Sequence, residues 1–168
     1  TSMFMRPVFG TARAVAPTAK RVIYTEGEDE RVLRAAQQAL DDQVAQPILV
    51  GRPEVIRERV KALGLHLPVE TGEVPIVNPD DDPRFRTYWE TYLKCMTRYG
   101  VDAEAAKLAV RRSNTVIGAL AVKLGDADAM ICGVLGSYDK HLDTVRNIIG
   151  VQPGKLFAAL NAVILEDR

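Results

Sequence analysis

The chain has 168 residues, of which 47% are hydrophobic and 26% are charged. This is the composition of a folded globular protein with one sizeable core, so wholesale disorder is excluded. The 22 basic and 22 acidic residues cancel and are well mixed along the chain. The charge therefore favours neither a nucleic acid nor an anionic membrane as a partner.

The predicted elements of the first half alternate between helix and strand. A helix is expected over residues 2–15 and a strand over residues 21–25. Acidic residues then begin an amphipathic helix over residues 28–40. A short apolar strand over residues 47–51 ends at a glycine, and a helix over residues 53–63 begins at a proline. The first half therefore consists of strand–turn–helix units.

The second half continues this alternation. In chain order we expect a strand over residues 74–77, helices over 83–99, 102–112 and 114–124, a strand over 129–132, a helix over 137–149 and a buried strand over 156–165. Gly118 lies inside a predicted helix, which costs about 1 kcal/mol relative to alanine unless close packing requires a glycine. The last strand stops at charged residues, and the first residue is Thr1, so we expect a truncated chain.

Strands that alternate with helices predict an α/β fold, in which a mostly parallel sheet has helices on both faces. Open sheets of this kind bind ligands at the carboxyl ends of their strands. The sequence contains neither a GxGxxG nor a Walker motif, so a nicotinamide site in this chain is unsupported.

The two cysteines, Cys95 and Cys132, have no spacing typical of metal ligands, so no metal site is predicted. Isolated thiols favour a reducing cytoplasm over a disulfide framework. The sequence shows neither a signal peptide nor an apolar stretch of membrane-spanning length. The expected location is therefore cytoplasmic, with no membrane partner.

The loop after the strand at residues 129–132 is the candidate site. Its two glycines allow backbone N–H groups to approach an anion at a helix N-terminus, and nearby cations add positive charge. The candidate effector-binding or anion-binding residues are Gly133, Gly136, Ser137, Lys140, His141 and Arg146. The alternative is a plain tight turn that precedes a solvated helix.

Ser137, Asp139 and His141 have the residue types of a nucleophilic triad. On a helix, side chains at these spacings do not converge on one point, so a triad is disfavoured. Ser137 is better interpreted as the helix N-cap. We therefore predict no catalytic residue in this chain.

Aromatic residues at helical spacing follow Pro83. Such a stripe is typical of a core or a subunit interface rather than of a cofactor site. The candidate interface residues are Phe85, Tyr88, Trp89 and Tyr92.

The segments EGEDERVLRAA (26–36), PILVG (47–51) and GALAVKLGDADAM (118–130) together resemble the phosphate acetyl/butyryltransferase family. More narrowly, MRPVF (5–9), GRPEVI (51–56), NPDDDPR (78–84), YWETY (88–92) and FAALN (157–161) resemble the phosphotransacetylase-like C-terminal module of bacterial NADP-dependent malic enzymes. The resemblance covers nearly the whole chain but only about the first half of such a module.

The resemblance implies one lobe of a two-lobed α/β fold that is shared with isocitrate dehydrogenase-like proteins. Residues 1–19 would be a linker helix, and residues 20–168 the first part of a truncated phosphotransacetylase-like domain. Such a module forms a homo-oligomer, a dimer or larger, and binds acetyl-CoA or a related CoA ester as an allosteric effector. The parent enzyme would use NADP and a divalent metal, held outside this chain, to decarboxylate malate oxidatively to pyruvate.

The departures from the family pattern argue against acyl transfer. Active members carry a His-Ser/Thr-Thr-Ala-Asp loop and then an arginine, whereas this chain has GSYDK at residues 136–140 and Asp143 at the arginine position. A second family arginine falls at Met96. These changes remove the guanidinium forks that recognise phosphate. The alternatives are an active phosphate acetyltransferase and a purely structural dimerisation domain.

Overall fold

The computed structural model describes residues 5–14 and 20–159. These residues form seven α-helices and four β-strands. In chain order the elements are α1 (Arg6–Ala14), β1 (Arg21–Tyr24), α2 (Glu30–Asp41), β2 (Gln46–Val50), α3 (Pro53–Ala62), β3 (Ile76–Val77), α4 (Phe85–Met96), α5 (Ala103–Arg112), α6 (Asn114–Leu124), β4 (Ala129–Ile131) and α7 (Tyr138–Ile148). A turn of 3-10 helix, Thr97–Tyr99, extends α4.

The strands form a parallel sheet in the order β3-β2-β1-β4. Ile23 of β1 lies opposite Ile48 of β2 on one side and opposite Met130 of β4 on the other. The chain places β2 and β3 on one side of β1 and then returns to the other side for β4. The boundary between β1 and β4 is therefore a topological switch point, where sheets of this class bind ligands.

Helices cover both faces of the sheet. Ile23, Ile48 and Val50 belong to a core that includes residues of α4, α5, α6 and α7. Tyr24 and Leu49 point to the opposite face, where they pack with residues of α2 and α3. This three-layer arrangement confirms the predicted α/β fold with a parallel sheet.

The predicted elements are present with shifted ends, except for the last strand. Residues 156–159 are irregular, with Leu156 90% exposed and Phe157 44% exposed. The buried strand expected there is therefore wrong over these residues, which are exposed and belong to no described strand. The rest of that run, residues 160–165, and residues 2–4 and 15 of the expected first helix lie outside the described residues.

Close packing explains the glycine inside α6. A Cβ atom on Gly118 would lie 2.5 Å from Cγ2 of Thr25 and 3.2 Å from Cε of Met130. The glycine therefore lets α6 lie against β1 and β4 directly below the carboxyl ends of these strands. Among the described residues, no helix has the length and apolarity needed to cross a membrane.

Candidate functional site

Two loops meet at the switch point, one after β1 and one after β4. The backbone N–H of Thr25 donates to the carbonyl of Ile131 at 3.1 Å. The Glu26 carboxylate then joins the loops, because it accepts from the Gly133 N–H at 3.0 Å and from the Thr25 hydroxyl at 2.8 Å. The Gly133 amide, predicted to approach an anion, already has a carboxylate partner within the chain.

The turn after β1 is also fastened to β2. The Gly27 N–H donates to the Val50 carbonyl at 3.0 Å, and a Cβ on Gly27 would lie 2.7 Å from that oxygen. The Glu28 carboxylate accepts from the Arg52 backbone at 2.9 Å and from its guanidinium at 2.8 and 2.9 Å. This hydrogen bonding by Arg52 lowers the pKa of Glu28. Glu28 is therefore a structural carboxylate rather than a proton donor.

His141 connects the loop after β4 to α6 through hydrogen bonds of its ring. Its Nε2 lies 2.7 Å from the Leu135 carbonyl oxygen, and its Nδ1 lies 2.9 Å from Oγ1 of Thr115 in α6. A carbonyl oxygen only accepts, so Nε2 carries a proton, and the Thr115 hydroxyl donates to Nδ1 when the ring is neutral. A Cβ on Gly136, whose φ is +99°, would lie 3.0 Å from Nε2. Gly136 therefore makes room for the imidazole.

The loop and the first turns of α7 border a mostly apolar cavity of about 460 Å³. Gly133, Gly136 and His141 contribute to its wall, together with Cys132, Leu142, Val145, Tyr138 and Phe157. Burial and, secondarily, the Glu26 carboxylate raise the pKa of Cys132. The thiol therefore stays protonated at neutral pH and is a poor nucleophile.

The other predicted site residues do not line this cavity. Ser137 occupies the N-cap position of α7, as predicted, but its side chain makes no capping hydrogen bond. Lys140 is exposed. Arg146 lies two turns further along α7 and lines a separate cavity of about 380 Å³ together with Arg98. Sequence reasoning missed Arg98, because only the packing of α4 against α7 brings it there.

The aromatic residues of α4 have different environments. Tyr88 is 1% exposed, and its hydroxyl donates to Asp126 Oδ2 at 2.8 Å. Its assignment to an interface is therefore corrected: the ring is part of the chain's own core. Phe85, Trp89 and Tyr92 are partly buried against that core, and their role in an interface stays a prediction.

Phe85 also borders a groove of about 660 Å³ between α4 and α5. The Arg111 guanidinium lies 4.8 Å from the centre of the Phe85 ring, and Lys107 Nζ lies 5.2 Å from the Trp89 ring. Within residues 5–14 and 20–159, no three histidine, cysteine or acidic side chains are grouped as metal ligands would be.

The sequence of the chain is similar to sequences of known proteins. The family model described as "Phosphate acetyl/butaryl transferase" matches residues 3–168. The chain is 49% identical to the NAD-dependent malic enzyme of Rhizobium meliloti (strain 1021) and 46% identical to the NADP-dependent malic enzyme of Escherichia coli (strain K12). Each match covers 98% of this chain and 21% of the relative, so the chain spans about a fifth of the length of these relatives.

More distant matches are to phosphate acetyltransferases. The chain is 30% identical to the enzyme of Nitratidesulfovibrio vulgaris over 88% of its own length and 20% of the relative. The structure of a phosphotransacetylase from Streptococcus pyogenes superimposes with a TM-score of 0.76 and 28% identity, over 92% of this chain and 45% of that one. The superposition agrees with the α/β fold of the chain.

Proposed function

Since the chain belongs to the phosphate acetyl/butaryl transferase family, we propose that it is the regulatory, oligomerising phosphotransacetylase-like module of a malic enzyme. In this proposal it binds acetyl-CoA or a related CoA ester as an allosteric effector and carries out no acyl transfer. The identities support the link, because four malic enzymes are 42% to 49% identical to the chain. Two phosphate acetyltransferases are 30% and 27% identical, in the same range as two further malic enzymes at 29% and 28%.

The observation that carries the regulatory assignment is the hydrogen bond from the Gly133 N–H to Glu26. An acyltransferase of this class must hold anionic oxygens with hydrogen-bond donors and cations. Here the Gly133 N–H at the switch point already donates to the Glu26 carboxylate, and the neighbouring cavity is mostly apolar. Such a cavity suits the uncharged arm and thioester of a CoA ester better than an anionic acyl phosphate.

The catalytic part of the parent enzyme would lie outside this chain. There, malate would be oxidatively decarboxylated to pyruvate with a nicotinamide cofactor and a divalent metal. The relatives differ in that cofactor, one being NAD-dependent and another NADP-dependent, and NADP remains our proposal. We also propose a cytoplasmic location and a homo-oligomer, without nucleic acid or membrane partners.

An active phosphate acetyltransferase is the second candidate. It is favoured by the superposition on the Streptococcus pyogenes phosphotransacetylase. A purely structural dimerisation domain is the third candidate, and it predicts that the cavity beside Gly133 binds nothing.

One experiment separates these candidates. Acetyl-CoA is titrated calorimetrically into the full-length protein that contains this chain, and the same sample is assayed with acetyl phosphate and CoA. Heat of binding without turnover is the expected result. Turnover would favour the acyltransferase, and the absence of both signals would favour the structural domain.

Two variants test whether acetyl-CoA binds in the cavity beside Gly133. Val145→Phe narrows the cavity beside Gly133 and should weaken acetyl-CoA binding about five-fold or more. Val8→Phe, on the exposed side of α1, adds the same ring elsewhere and should leave binding unchanged. Equal affinities for the two variants would place the effector outside this cavity.

A further inference from the structure

A second cavity lies where the end of α4 meets the last turns of α7. It encloses about 380 Å³, and its polar wall is formed by Arg98, Tyr99, Asp143, Arg146 and Asn147. Arg98 and Tyr99 belong to the 3-10 turn after α4, and the other three belong to α7. Because α4 and α7 pack together, two arginines distant in sequence face one space.

The cavity has an excess of positive charge, with two guanidinium groups and one carboxylate. Arg98 donates to the Tyr99 hydroxyl at 2.9 Å and lies over that ring at 4.9 Å. The ion pairs among the described residues include neither Arg98 nor Arg146. Arg52 and Arg84, by contrast, are each held by a carboxylate at 2.8 to 2.9 Å.

A planar guanidinium with free donors matches the oxygens of a phosphate group, which it binds as a fork. We propose that the pocket between Arg98 and Arg146 binds a phosphate group of a phosphorylated ligand. The Asp143 carboxylate, one turn before Arg146 on the same side of α7, limits the affinity by repelling the anion. Asn147 adds a neutral donor to the same wall.

The position of α7 connects this pocket with the proposed function. Its residues His141, Leu142 and Val145 line the apolar cavity, while Asp143 and Arg146 line the polar one. The two cavities therefore lie on different sides of one helix, and the proposed CoA ester would place its phosphate in the polar one. The choice of a CoA ester rests on the proposed function, whereas the phosphate chemistry rests on the two arginines.

The test measures binding to the full-length protein by calorimetry, with acetyl-CoA, CoA, 3′-dephospho-CoA and inorganic phosphate as probes. Arg98→Gln and Arg146→Gln should each weaken CoA binding about ten-fold, as expected for the loss of a charge-assisted hydrogen bond. Asp143→Asn should strengthen binding about two-fold to five-fold by removing repulsion. Arg112→Gln, an exposed change outside this cavity, is the matched control.

The Asp143 variant distinguishes a binding role from a structural one, because damage to the fold would not tighten binding. A loss of affinity that affects CoA but not 3′-dephospho-CoA would identify the 3′-phosphate as the bound group. A loss of inorganic phosphate binding alone would support the pocket with free phosphate as its ligand.

Other outcomes overturn the inference. If both arginine variants bind acetyl-CoA and phosphate as the wild type does, the pocket is not a phosphate site, although the proposed function stands. If Lys140→Gln weakens binding and Arg146→Gln does not, the anion lies at the loop after β4. If the wild type binds neither acetyl-CoA nor phosphate, the pocket and the proposed effector are both wrong.

Discussion

Glu26 and Glu28 flank the glycine turn after β1, and each carboxylate is committed to protein partners. Glu26 accepts from the Gly133 amide on the loop after β4. Glu28 accepts from the guanidinium and backbone of Arg52 after β2. The turn therefore ties together the ends of three strands. Its acidic residues position the site rather than perform acid–base chemistry.

Glu28→Gln should destabilise the protein by about 1 kcal/mol or less at pH 7, because the partly exposed ion pair with Arg52 is lost. Arg52 lowers the pKa of Glu28 below its ordinary value of 4.5 in the folded state. The stabilisation is therefore present above pH 4.5 and is lost as the pH falls through the lowered pKa. Urea unfolding of the wild type and the variant at pH 7 and at pH 3 measures how much of this stabilisation is lost.

The stability difference between wild type and Glu28→Gln should be smaller at pH 3 than at pH 7, because below pH 4.5 the unfolded chain takes up a proton at Glu28 more readily than the folded chain does. Glu58→Gln, an exposed change on α3, should leave stability nearly unchanged at both pH values. An equal difference at both pH values would mean that the charge of Glu28 contributes nothing.

At the scale of single residues, the sequence predicted local roles, such as a helix start, better than it predicted which side chains pair with each other. It placed acidic residues at the start of α2, and Asp29 indeed caps that helix by accepting from the Arg31 N–H. It could not show that Glu28 pairs with Arg52, 24 residues away. Gly136 is a candidate anion-binding residue from the sequence, which does not show that it also makes room for His141. These pairings depend on how the loops meet, which no local pattern encodes.

Among the described helices, α6 has the weakest amphipathic pattern and the most buried residues. Residues 115–121 are buried without interruption, so the helix has no polar face from which its orientation could be read. Leu124, at the end of the helix, is 40% exposed. What fixes the helix is its glycine against Thr25.

Gly118→Ala should therefore destabilise the protein although alanine favours helices. The gain in helix propensity is about 1 kcal/mol, whereas overpacking against Thr25 costs about 1 to 3 kcal/mol. A Cβ at 2.5 Å from a methyl carbon forces α6 away from the sheet, so we expect a net loss of about 1 kcal/mol. Thermal and urea unfolding measure this loss.

The control for this change is Gly10→Ala in α1. A Cβ on Gly10 would meet nothing within 4 Å, so the same substitution there should be neutral or stabilising. If both substitutions stabilised the protein equally, close approach of α6 to β1 would not limit residue 118.

The strands show why an apolar run alone does not define an element. The runs in β1 and β2 predicted strands correctly because helices cover both of their faces. The run at residues 156–159 is also apolar, but Leu156 is 90% exposed and the run forms no strand. Composition reports the tendency to be buried, and neighbours decide whether burial occurs.

At the scale of the whole molecule, comparison with the family pattern shows which family residues this chain lacks at single positions. It places the missing arginines at Met96 and Asp143, which argues against phosphate recognition. The fold adds what such a comparison omits: Arg98 and Arg146 are brought to one cavity by the packing of α4 on α7. Electrostatics belongs to the assembled surface, so it could not be derived position by position.

The proposed oligomer gives the last prediction. The groove between α4 and α5 is bordered by Phe85 and by Leu108, which is 47% exposed. Trp89, also on α4, packs against the core, so a charged residue there would disturb folding as well as assembly. Leu108→Glu changes only the exposed border of the groove. It should shift the full-length protein to a smaller species in sedimentation velocity, with an unchanged circular dichroism spectrum.

Leu124→Glu is the matched control, since it places the same charge on a similarly exposed leucine at the end of α6. It should retain the oligomer, because Leu124 does not line the groove between α4 and α5. Equal sedimentation of Leu108→Glu and wild type would exclude this face as the interface. The exposed aromatic and cationic groups of α4 and α5 would then be solvated surface, and assembly would have to use another face of the chain or another part of the protein.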